Sequence, residues 1–98
     1  ATSRTVIFEA TQGDFVIHDV TLINTNGSST ARTIYTYLKA DDTTTGTVPL
    51  AAKQAVAADD SETEAKLIGK TIPQNGTLQA HESSGTDCYI TISGKYVR

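Results

Sequence analysis

Between Thr5 and Val97 the chain alternates short runs rich in Val, Ile, Thr and Tyr with clusters of Gly, Asn, Asp and Ser. β-branched and aromatic residues suit the pleated, half-buried surface of a sheet, and the intervening residues are those that tight turns require. This rhythm predicts an all-β fold, a small antiparallel β-sandwich or jelly-roll-like barrel of six or seven strands with hairpin-length connections.

The first run is TVIFEA at 5–10, closed by the turn signal Gln12, Gly13 and Asp14. In FVIHDVTLIN, at 15–24, simple alternation puts Val16, His18, Val20 and Leu22 on one face and Phe15, Ile17 and Ile23 on the other. Apolar groups on both faces imply a strand covered twice, or one that bends at Asp19. Asn26, Gly27, Ser28 and Ser29 read as a turn joining this strand to an antiparallel partner at 33–39, because Asn and Gly tolerate positive φ. In that partner Ile34, Thr36 and Leu38 face one way and Tyr35 and Tyr37 the other, giving an amphipathic Tyr face.

The stretch PLAAKQAVAA at 49–58 has helix-favouring Ala, Leu, Lys and Gln with Pro49 at its start. It reads either as one short helix or as an extended excursion. Ser61 and Glu64 match a capping-box spacing, followed by a strand-like run at 66–72. Pro73, Gln74, Asn75 and Gly76 make another turn before a strand at 77–81. In the closing run Cys88, Ile90 and Ile92 alternate with Tyr89, Thr91 and Ser93, and Gly94 marks a bulge or the close approach of another backbone.

Ninety-eight residues make one domain, read as spanning 1–98 with a polar N-terminal arm of Ala1, Thr2, Ser3 and Arg4. The 21 Val, Ile, Leu and Phe residues are about a fifth of the chain, close to the level at which a core becomes hard to build. Oligomerisation is one usual remedy for so thin a core. A net charge of −3 with singly dispersed Lys and Arg argues against nucleic-acid binding, which needs a basic stripe. Apolar stretches run to a few residues, far short of the roughly 20 of a membrane helix. The lone Cys88 forms no intrachain disulfide, and the N-terminus lacks a charged segment followed by an apolar one, so synthesis in a reducing cytoplasm is expected.

The chain carries little that resembles catalytic chemistry, and no enzyme activity, cofactor or metal is expected from it. Cys88 with His18 or His81 would supply a thiol and an imidazole, but no local signature surrounds them; Cys88 reads as a small buried side chain and His18 as a hydrogen-bonded structural imidazole. A metal set of His18, Asp19, His81 and Cys88 lacks zinc-type spacing. The acidic pairs Asp41 with Asp42 and Asp59 with Asp60 lack a calcium-loop pattern and read as solvated loops. No glycine-rich phosphate loop is present, and the sequons at Asn26 and Asn75 coincide with turn motifs.

Three segments, VTLINTNGSSTARTIYTYL at 20–38, AKLIGKTIPQNGTLQ at 65–79 and YITISGKYV at 89–97, together resemble a group of small tailed-bacteriophage virion proteins. In that group a strand ending in Asn leads through a Gly/Ser/Ala turn into an Ala-Arg-Thr strand; here these are Asn24, the turn at 26–29, and Ala31, Arg32 and Thr33. The similarity touches about half the chain and departs at the 49–58 insertion and at the short approach, 82–87, to the last strand.

What the resemblance implies is a structural virion protein that binds the outside of the capsid as a decoration or cement protein. The runner-up roles are a small neck or tail component, and a carbohydrate- or receptor-binding β-sandwich. The implied partners are the major capsid protein and other copies of itself, as dimers or trimers, on the virion surface. The candidate partner-binding residues are the arm, Ala1, Thr2, Ser3 and Arg4, expected to be held by a neighbouring chain, with the face of Tyr35 and Tyr37 and the loop at 41–46 that begins with Asp41 and Asp42.

Overall fold

In a computed structural model that describes residues 4–27, 30–44, 48, 50–83 and 88–97, the alternating runs form eight strands and one short 3-10 turn. They are β1 (Thr5–Glu9), β2 (Phe15–Asn24), β3 (Arg32–Lys39), β4 (Leu50–Val56), β5 (Asp60–Thr63), β6 (Thr71–Ile72), β7 (Thr77–Glu82) and β8 (Cys88–Tyr96), with the 3-10 turn at Ala65–Leu67. One antiparallel sheet has the order β1-β7-β3-β4. The other is built on β2, which pairs with β8 along one edge and with β5 and then β6 along the other. The two sheets pack into a small β-sandwich of 43 × 26 × 17 Å.

The core between them is set by alternation. Ile34 and Leu38 of β3, Leu78 and Ala80 of β7, and Ala52 and Val56 of β4 point inward from the first sheet. They meet Phe15, Ile17, Val20 and Leu22 of β2, with Leu67 of the 3-10 turn and Ile72 of β6. At one end Phe8, Phe15 and Tyr96 bring three strands together, with the Phe15 and Tyr96 rings edge to face at 5.2 Å.

β2 resolves its two apolar faces by bending. Its pairing with β8 skips a residue between Ile17 and Asp19, leaving His18 as the extra residue of a bulge. The skip changes the phase of the strand, so Phe15 and Ile17 before it and Val20 and Leu22 after it all face the core. His18 is exposed at the bulge, and the expectation of a structural imidazole held within the strand is corrected accordingly. Gly94 sits opposite Ile17. A Cβ there would overlap the Val16 carbonyl oxygen and lie 2.8 Å from the Phe15 ring, so the close-approach reading of this glycine holds.

Four local expectations are corrected. The turn at 26–29 does not close a hairpin, because β2 and β3 lie in different sheets. Asn24 carries the chain across: its buried Nδ2 donates to Thr30 and Val56 carbonyls, and its Oδ1 accepts from Asn26 N–H. Ser28 and Ser29 lie outside the described residues. The short helix weighed for 49–58 is instead strand β4, edge partner of β3, in which Ala52 and Val56 turn inward and Ala51, Lys53 and Ala55 outward. Tertiary pairing overrides a modest helix propensity here; Pro49 is not among the described residues.

The acidic stretch read as a loop holds strand β5, paired with the end of β2. The strand-like run at 66–72 is mostly the 3-10 turn and its exit, with only Thr71–Ile72 paired. Glu64 is itself the cap, its Oε1 accepting from Lys66 N–H, so the capping box does not begin a long helix. The turn at 73–76 is as expected: Gly76 N–H donates to the Pro73 carbonyl at 2.7 Å while Asn75 takes positive φ.

Candidate surface for partner binding

The outer face of the β1-β7-β3-β4 sheet follows from parity. With Ile34, Thr36 and Leu38 turned inward, Tyr35, Tyr37 and Lys39 turn outward, and register places His81 beside Tyr35 and Gln79 beside Tyr37. The His81 ring stacks on Tyr35 at 4.7 Å and on Tyr37 at 5.5 Å. Its Nε2 also shares a 2.7 Å hydrogen bond with the Tyr37 hydroxyl. The Arg4 guanidinium reaches over from the start of β1 to lie 5.1 Å from the Tyr37 ring centre, within cation–π range.

A loop is stitched across the same face. Thr77 Oγ1 donates to the Asp41 carbonyl at 2.6 Å, Gln79 Nε2 to the Thr43 carbonyl at 2.8 Å, and Arg4 Nε to the Thr44 carbonyl at 2.8 Å. Lys39 Nζ hydrogen bonds Thr43 Oγ1 and lies 3.4 Å from Asp41 Oδ1. The loop therefore buries Thr77, Gln79 and Lys39, polar residues on what would otherwise be a wet sheet face. Within it the Thr43 hydroxyl and then the Thr43 backbone N–H donate to the Asp41 carboxylate, and with a smaller contribution from Lys39 they hold its pKa below the ordinary 3.8.

The structure thus brings together Arg4, Tyr35, Tyr37 and Asp41 in one continuous surface, with Asp42 exposed beside them on the loop. Of the arm, Arg4 contacts the Thr44 carbonyl and the Tyr37 ring of its own chain. Ala1, Thr2 and Ser3, and the loop residues Thr45 and Gly46, lie outside the described residues. His81, weighed in the sequence only beside Cys88 or a metal, and Gln79 and Lys39, buried beneath the loop, were not read as part of this cluster. Their parity within each run was visible, but which strand lies beside which was not.

The thiol and imidazole candidates are separated. Cys88 pairs with Asn24 at one end of the β2–β8 ladder and Asp19 with Ser93 near its middle, about 17 Å apart at the rise of a strand, with His18 next to Asp19. His81 belongs to the other sheet. Among the described residues no group of three His, Cys, Asp or Glu side chains gathers to hold a metal. Asp59 and Asp60 border an open depression with Thr21, Asn24 and Ser61 at the β2–β5 end. No protein family, curated protein sequence or solved structure matches this chain.

Proposed function

We propose that this protein is a structural component of a tailed-bacteriophage particle, binding the outside of the capsid as a decoration protein that stabilises the assembled shell. The sequence resemblance supplies the class. The observation that carries a binding role is the stacked Arg4, Tyr37, His81 and Tyr35 surface, beside a 41–44 loop that is held in place by hydrogen bonds from the side chains of Arg4, Lys39, Thr77 and Gln79. Tyr and Arg are the residues that most often anchor protein interfaces, and prior fixing of their positions reduces the entropy lost on docking. Stacking of the rings on one another favours a protein partner over a sugar, whose binding platforms present open ring faces.

The physical mechanism is mass action: a protein that binds the assembled shell and not its free subunits raises the stability of the shell. Binding of many weakly held copies on a symmetric lattice adds up without any one contact being strong.

The test is the copy number of this protein in purified particles, measured by quantitative mass spectrometry against the major capsid protein. Copies in proportion to the shell support the decoration role, whereas enough for a single ring moves the protein to the neck or tail. Absence from particles overturns the reading. Within a positive result, the double substitution Tyr35→Ala with Tyr37→Ala is expected to weaken particle binding by roughly 30-fold or more.

A further inference from the structure

β8 is an edge strand whose core is unfinished. Its inward residues Ile90 and Ile92 are half-buried, whereas Val20 and Leu22, their partners on β2, are fully buried. Among the described residues, the edge of Tyr89–Tyr96 turned away from β2 meets no other strand. Its outer face carries Tyr89, at 61% the most exposed of the large hydrophobics, then Thr91, Ser93 and Lys95. An uncovered edge of this kind is a template for another strand.

We infer that β8 pairs antiparallel with β8 of a second copy about a two-fold axis at Ile92, joining two sandwiches through one continuous sheet. The strand is complementary to itself in this register. Cys88–Tyr96 is centred on Ile92, so all nine residues overlap. Antiparallel pairing about that centre keeps the inward face inward and sets Ile92 against its own copy and Ile90 beside Gly94. On the outer face it sets each Lys95 against the Tyr89 ring of the other copy and Thr91 against Ser93. Cation–π and hydroxyl pairs are favourable cross-strand neighbours, and no like charges meet.

The area is sufficient. Nine residues span about 30 Å, and the smallest extent of the molecule is 17 Å. A strip of those dimensions, which spans both sheets, hides at most about 500 Å² on each copy, or about 1,000 Å² in all, within the range of weak association. The dimer is therefore weak and concentration-dependent. A two-fold contact of this type closes on itself and does not propagate.

Sedimentation velocity of the full chain from about 1 μM to 1 mM, the range of weak association, tests this directly. The mass is expected to climb from that of the 10.4 kDa monomer towards the dimer and to stop there. Tyr89→Lys, at an exposed position that leaves the core intact, sets like charges opposite each other twice and should keep the protein monomeric. Adding Lys95→Glu to that variant restores opposite charges and should restore the dimer, a rescue that a merely misfolded variant would not show. A wild-type mass fixed at the monomer would overturn the proposal, with Lys95 then acting as a guard on the edge. So would growth beyond the dimer, or a Tyr89→Lys protein that associates like the wild type. None of these outcomes depends on whether the protein belongs to a virion.

Discussion

At the scale of single residues, the fold leans on places where one atom decides the outcome. Gly94→Ala is expected to destabilise the protein by about 3 kcal/mol, because the obstacle is the Val16 backbone and the Phe15 ring within a paired ladder. Urea denaturation would show the loss as a lower midpoint. Thr36 works in the opposite direction. It faces the core fully buried, and its hydroxyl finds no hydrogen-bond partner among the described residues. Thr36→Val keeps the shape and removes the stranded hydroxyl, so it should stabilise by about 1 kcal/mol in the same measurement. Sequence alone marked Gly94 correctly, since a glycine inside a strand asks for a reason. It did not mark Thr36, because a threonine in a strand looks favourable until its face is known.

At the scale of elements, β4 and the 41–44 loop were the least legible parts of the chain. An Ala-rich stretch has helix propensity, and only its pairing with β3 makes it a strand. Ala51→Thr and Ala55→Thr, on its outward face, should therefore each add about 0.5 kcal/mol; a helix in solution would respond with a loss. The loop looked like plain polar punctuation because its anchors, Arg4, Thr77 and Gln79, stand some 36 to 40 residues away in the sequence. By contrast β3 and β8 were readable from alternation, whereas β2 hid its phase behind the bulge at His18 and β7 is buried on both faces along Thr77, Leu78, Gln79 and Ala80. The loop also carries a pH dependence. Folding favours the ionised Asp41, so its contribution is present above the ordinary value of 3.8 and is lost as pH falls below that through the lowered folded value. The Thr43 amide, which donates to that carboxylate, should exchange its hydrogen faster as the pH is lowered through this window, once intrinsic exchange is corrected for, and Asp41→Asn should remove the change.

At the scale of the whole molecule, the sandwich closes better on one side than on the other. The β4 and β5 edges lie near each other, whereas β1 and β8 leave Val6, Ile7, Tyr89 and Val97 exposed. A thin core that gains cover from a second copy should unfold at a temperature that rises with protein concentration. Calorimetry across a hundredfold dilution series should find this rise in the wild type and a flat midpoint in Tyr89→Lys. The overall class was legible because alternating runs separated by turn residues have few other ways to fold. The pairing of the strands was not, because the chain passes from one sheet to the other between β1 and β2, β2 and β3, β4 and β5, β6 and β7, and β7 and β8, and such crossings leave no local mark.

The bulge in β2 has a consequence for how such chains are compared. Strike His18 from FVIHDVTLIN and the remaining letters alternate without fault, with Phe15, Ile17, Val20, Leu22 and Asn24 all falling on the same beat. The histidine behaves as a silent syllable that shifts the metre of the line. A pattern search that counts every letter hears two broken half-strands, whereas one permitted a single skip hears the continuous strand around which the second sheet is built.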